Sequence, residues 1–133
     1  MIKYATIIVI LLLCFGGRAY GENAFFVDNF ADALAMSEST NKPLLVVFTA
    51  DWCKYCAVLH EDVQKESGGE ILKDYIVCFI NIDKYPDIYK EYKVKALPDS
   101  RIIVSKTEIA TNIGYKSKTH YMQWIKNVNR KIK

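Results

Sequence analysis

Apolar positions along this chain follow two rhythms, helical spacing and short continuous runs, and turn residues mark most changes between them. Asp28 is placed to cap a first helix whose inward face takes Phe30, Ala31, Leu34 and Ala35, and Asn41-Lys42-Pro43 ends it. Leu44 to Thr49 is apolar and β-branched without alternation, which predicts a strand buried on both faces. After the loop Ala50-Asp51-Trp52 the spacing becomes helical, with Cys56, Leu59 and Val63 along one stripe until Gly68-Gly69. A turn over Glu70 to Asp74 leads into a second buried strand, Tyr75 to Ile82. Asp83 to Pro86 turns the chain, and Asp87 to Tyr92 suits a short helix with Ile88 and Tyr92 inward. Beyond Leu97-Pro98-Asp99, the segments Ile102 to Val104 and Glu108 to Ile113 predict two antiparallel strands joined at Ser105-Lys106-Thr107. Ser117 or Thr119 starts a final helix with Tyr121, Trp124, Ile125, Val128 and Ile132 on one face. The order helix, strand, helix, strand, helix, strand, strand, helix predicts an α/β domain of three layers, a central mixed sheet flanked by helices on both faces.

The first 21 residues stand apart from this pattern. Met1 and Lys3 give a short positive start, Ala5 to Phe15 is a predominantly apolar run, and Ala19-Tyr20-Gly21 is a small-x-small site. These features predict an export signal over residues 1–21, cleaved after Gly21, and one domain over residues 22–133. The apolar run is shorter than the roughly 20 residues that a spanning helix needs, so no stable membrane insertion is expected. Cys14 lies between Leu13 and Phe15, a poor setting for a lipidated cysteine and an ordinary one for a signal. Of 18 basic and 15 acidic residues in the chain, the signal takes Lys3 and Arg18 and no acid. The remaining near-neutral balance argues against nucleic-acid binding, which wants a basic face. Lys126, Arg130, Lys131 and Lys133 are better read as a solvated helix end that complements the helix dipole.

Candidate chemistry is concentrated in Trp52-Cys53-Lys54-Tyr55-Cys56. If Cys53 opens a helix, its sulfur faces unpaired N–H groups and the positive end of the dipole, which favour the thiolate. Cys56 then lies nearly one turn further on the same face, placed to attack a mixed disulfide formed at Cys53. The alternative, half of a structural zinc site, would need a second ligand pair, and Cys78, His60 and His120 are scattered. A purely structural disulfide would close a very small loop and remove little unfolded-state entropy. Export would place the pair where disulfides form and persist. Cys78, inside Ile76-Val77-Cys78-Phe79-Ile80, is expected to be a buried, inert thiol.

The element order, the Trp-Cys-x-x-Cys segment after the first buried strand and the apolar-Pro dipeptide before the last two strands together resemble the thioredoxin family, over nearly all of residues 25 to 133. Ala50-Asp51-Trp52-Cys53-x-x-Cys56 is similar in particular to exported thioredoxin-like domains of bacterial envelope thiol:disulfide interchange proteins. The resemblance implies a thioredoxin-like fold, Cys53 as attacking thiol and Cys56 as resolving thiol. It also implies Trp52 as the aromatic beside the site, a cis peptide at Pro98 lying against the disulfide, and Leu97 offering backbone groups to an extended substrate. Two departures stand out. Many thioredoxins carry a buried aspartate and a lysine that help to move the resolving thiol's proton, and Val47 and Phe79 occupy those places here. His60, one turn after Cys56, is a candidate relay, with an exposed histidine of no role as its alternative. Lys54-Tyr55 replaces the Gly-Pro of cytosolic thioredoxins, and Lys54 favours the thiolate while Asp51 opposes it.

The function expected on these grounds is an exported thiol:disulfide oxidoreductase, monomeric, in the periplasm or outside the cell, reducing disulfides of envelope proteins. It would need no metal or organic cofactor, and its partners would be disulfide-bearing proteins and an unidentified electron donor or acceptor. The alternative is a non-catalytic adaptor or a thiol-based metal carrier on the same fold.

Overall fold

A computed structural model describes residues 23–133, so the expected signal over residues 1–21 lies outside the described residues. Five strands form one sheet: β1 (Phe25–Phe26), β2 (Leu44–Thr49), β3 (Ile76–Asn81), β4 (Asp99–Val104) and β5 (Thr107–Ile113). Their spatial order is β1-β3-β2-β4-β5, with β1, β3 and β2 mutually parallel and β4 and β5 antiparallel to their neighbours. Among the described residues four helices cover it: α1 (Phe30–Thr40), α2 (Lys54–Lys65), α3 (Pro86–Glu91) and α4 (Lys118–Ile132). This is the mixed sheet with helices on both faces that the apolar rhythm predicts, extended by the two-residue edge strand β1.

Strand alternation divides the continuous apolar runs between two cores. Leu45, Val47, Val77 and Ile102 meet Leu59 and Val63 of α2 and Tyr121, Ile125 and Val128 of α4. Leu44, Val46, Phe48, Cys78, Ile80 and Ile103 meet Ala33 of α1, with Phe30, Leu34, Ile88 and Tyr92 packed around them. Central strands with apolar side chains on both faces can be buried only if helices cover both, which is why β2 and β3 carry no alternation.

The start of α1 differs from expectation by one residue. Asn29, not Asp28, is the cap, and its Oδ1 accepts from the Asp32 N–H at 3.0 Å. The inward stripe is correspondingly Phe30, Ala33, Leu34 and Ser37, while Ala31 and Ala35 are exposed. Ser37 can face inward because its hydroxyl donates to the Lys42 carbonyl at 2.6 Å and is not buried unpaired. Asn41 closes the helix in the left-handed region at φ 54°, and Pro43 prevents its continuation. Of the two candidate starts of α4, Ser117 is the cap, its hydroxyl accepting from the His120 N–H at 3.1 Å.

Candidate active site

Thr49 ends β2, and Ala50-Asp51-Trp52 turns the chain so that the Cys53 N–H donates to the Ala50 carbonyl at 3.1 Å. Cys53 is the cap of α2, with extended backbone angles, so its sulfur lies over the first turn rather than alongside it. There the Cys56 N–H donates to the Cys53 Sγ at 3.3 Å. The pair is joined as a disulfide, with Cα atoms 5.2 Å apart. Once reduced, a sulfur in this position gains from that N–H and from the helix dipole mainly as an anion. The first turn of α2 holds no acidic residue to oppose this charge, and Lys54 adds a cation.

Cys53 is 9% exposed and Cys56 is 2% exposed. A shallow depression of about 270 Å³ runs past both sulfurs and is lined by Thr49, Ala50, Asp51, Ala57 and His60. A second, of about 210 Å³, reaches Cys53 but not Cys56 between Trp52, Ile82, Tyr89, Val94 and Leu97, with Lys95 as its charged residue. Cys53 therefore opens on two sides and Cys56 on one.

The Leu97-Pro98 peptide is cis, as the resemblance implies. Leu97 packs against Ala50, Cys53 and Cys56, and the Pro98 carbonyl accepts from the Gly114 N–H at 2.7 Å. Trp52 and Tyr55 stand out from the surface, 70% and 62% exposed. The Trp52 indole N–H donates to Asp83 Oδ2 at 3.1 Å, the Asp83 N–H to Asn81 Oδ1 at 2.9 Å, and the Asn81 amide to Asp51 Oδ1 at 3.0 Å. This chain of bonds ties the end of β3 to the loop that carries the cysteines. Asn81 and Asp83 were not expected at the site; their signal in the sequence is a pair of polar residues two apart where the second apolar run stops.

The remaining candidates are elsewhere. Cys78 is a free thiol inside the core of the opposite face, where burial, helped by the negative charge of Asp28, pushes its pKa up to about 12. His120 is exposed on α4. Among the described residues no three His, Cys, Asp or Glu side chains converge as metal ligands would. No helix of the described residues is long and apolar enough to cross a membrane.

Comparison with known proteins bears on this geometry. The thioredoxin family model matches residues 24–127. A thioredoxin from Rickettsia felis is 31% identical over 86 residues, which are 62% of this chain and 78% of that protein. Among solved structures, a mutant thioredoxin from Halobacterium salinarum superposes with a TM-score of 0.67 at 20% identity, covering 84% of this chain and 95% of its own. The protein Trxlp from Edwardsiella tarda gives a TM-score of 0.68 at 18% identity, covering 75% and 97%. At such identities these two structures establish the fold alone.

Proposed function

The chain belongs to the thioredoxin family, and we propose that it is an exported enzyme that reduces disulfides in proteins of the bacterial envelope or its surroundings. Thiol:disulfide exchange itself follows from the family together with the Cys53–Cys56 pair. In the proposed cycle the Cys53 thiolate attacks one sulfur of a substrate disulfide. That S–S bond breaks, the first substrate thiolate leaves, and a mixed disulfide forms at Cys53. Cys56 then loses its proton and attacks the Cys53 Sγ, and the second substrate thiolate leaves. Two electrons have passed to the substrate, the Cys53–Cys56 disulfide is restored, and an external dithiol must reduce it again.

The observation that carries this assignment of roles is the Cys56 N–H directed at the Sγ of Cys53, the more exposed of the two cysteines. Trp52, Leu97 and Pro98 are proposed to bind the substrate, because two of them wall the apolar depression over Cys53 and the third joins Leu97 through the cis peptide. Lys54 and Tyr55 tune the thiol from the exposed first turn. The enzyme works as a monomer with the cysteine pair as its redox centre. Export is supported by the signal-like pattern of residues 1–21, and reduction by the likeness of Ala50-Asp51-Trp52-Cys53 to envelope domains.

Insulin reduction tests the activity: wild type should turn over, Cys53→Ser should not, and Cys56→Ser should trap substrates covalently on Cys53. A reporter that is active only outside the cytosol, fused after residue 21, tests the location, and an inactive fusion would sink it. Measurement against glutathione tests the direction, since a potential near about −120 mV would make the protein an oxidant.

A further inference from the structure

Resolution of a mixed disulfide requires Cys56 as a thiolate, yet Cys56 is almost fully buried, and the pair Val47 and Phe79, aligned across β2 and β3, is apolar. Neither can take a proton. His60 lies one turn beyond Cys56 on α2, and its ring packs on the Phe79 ring with centroids 4.3 Å apart. This contact places the imidazole on the wall of the depression that also exposes Cys56. We propose that His60 is the proton acceptor for Cys56 in the resolving step, an inference that rests on the exchange cycle above.

The step balances. The Cys56 S–H bond breaks and its proton passes to the imidazole, directly or through solvent in the depression. The Cys56 sulfur bonds to Cys53 Sγ, and the bond from Cys53 to the substrate sulfur breaks. The imidazolium then gives the proton to the leaving thiolate or, where that thiolate is too weak a base, to solvent, so His60 ends as it began. Asp51 faces the same depression from the loop, but its Oδ1 already accepts from Asn81, and a carboxylate is a much poorer base toward a thiol than an imidazole. On the strand side His60 meets the neutral Phe79 ring. On α2 itself, Glu61 is paired with Lys65, and Asp62 accepts from the Tyr115 hydroxyl.

The test is stopped-flow reaction of the reduced protein with dithionitrobenzoate, which releases one coloured thiolate when Cys53 attacks and a second when Cys56 resolves. In His60→Gln the first phase should be unchanged. The second should slow by about tenfold near pH 7, with the deficit shrinking as pH rises and hydroxide takes over as the base. Added imidazole should restore the second phase in His60→Ala, a rescue that a packing defect at Phe79 would not show. Equal second phases at every pH, or a deficit that neither pH nor imidazole changes, would overturn the assignment. A wild type without any second phase would overturn the exchange cycle itself, so the two failures are distinguishable.

Discussion

The two faces of the sheet handle buried polar groups in opposite ways. Under α2 and α4 they are neutral: the Tyr121 hydroxyl donates to Ser100 Oγ at 2.8 Å, and the Tyr75 hydroxyl to Asn129 Oδ1 at 2.7 Å. Burial raises the pKa of both phenols, which keeps them uncharged. Under α1 and α3 the sheet buries an ion pair. Asp99, 1% exposed, takes two hydrogen bonds from Arg101, at 2.7 and 3.0 Å. The same guanidinium donates to Glu108 and to the Tyr92 carbonyl, and lies near the rings of Phe48 and Tyr92. Asp99 follows Pro98 directly, and Tyr92 ends α3, so one side chain holds both ends of the segment that presents Leu97 to the sulfurs. Fixed charge is thus placed where it positions a loop. The face carrying α2 holds no fully buried carboxylate among the described residues, which leaves the proton of Cys56 to a group on the rim.

Arg101→Met should break this contrast most severely. It strands the Asp99 carboxylate in the core, for which the expected loss is about 3–5 kcal/mol in urea unfolding. Replacing both partners, as Asp99→Val with Arg101→Met, should recover most of that loss, because two apolar groups leave no charge unpaired. Substrate affinity should still suffer in the double variant, since the Tyr92 carbonyl loses its donor and the 93–98 segment its anchor. A single-variant loss below about 1 kcal/mol would place the pair with ordinary surface salt bridges and dissolve the contrast.

Alkaline pH probes the same face next. Below about pH 9 the Cys78 thiol is protonated whether the chain is folded or not, and it contributes nothing to the pH dependence. Between about 9 and 12 the unfolded chain gains a thiolate that the folded core resists, so stability falls as pH rises. In a Cys53→Ser/Cys56→Ser background, which prevents disulfide exchange, the loss should be on the order of 1 kcal/mol per pH unit steeper than with Cys78→Val added. Identical slopes would mean that the Cys78 thiolate is tolerated on the face that already holds Asp99 and Arg101.

On the neutral face the corresponding break is smaller. Tyr121→Phe leaves the buried Ser100 hydroxyl without its donor and should cost about 1–2 kcal/mol by thermal or urea unfolding. Tyr121→Phe with Ser100→Ala should return close to wild type, because no orphaned group remains. A Tyr121→Phe loss matching that of Arg101→Met would show that charge is not what separates the two faces.

The apolar rhythm made the frame legible because its cause is local. Leu44 to Phe48 and Ile76 to Ile80 are unbroken since both faces are covered, and Ser117 sits where a cap must. The extended cap at Cys53, with its sulfur over the first turn, likewise needs only adjacent residues. What could not be read depends on partners far apart in the chain. Phe25 and Phe26 form a strand only because β3 offers its edge, and both remain exposed. Ala33 was hidden among neighbouring alanines, since a one-residue shift of the cap rotates the whole stripe. The spacing of Arg101, Asp99, Tyr92 and Glu108 carries no signal until β4, β5 and α3 are assembled. His60 was visible by its helical spacing, but its contact with Phe79 and the shared depression were not.

The smallest expected effect lies in the hairpin that joins β4 to β5, away from both cores. Ser105 and Lys106 both have positive φ, 49° and 66°, in a two-residue turn where asparagine and glycine fit with less strain. Ser105→Asn with Lys106→Gly should raise stability by up to about 1 kcal/mol in urea unfolding and leave insulin reduction unchanged. The control is informative because β4 runs from this turn to Asp99 beside the cis proline. If tightening the turn altered substrate affinity, the strand would be transmitting register changes to the 93–98 segment. Arg101 would then be one contributor to its position among several. Stability that rises with activity unmoved would instead leave that segment under the control of the buried charge pair.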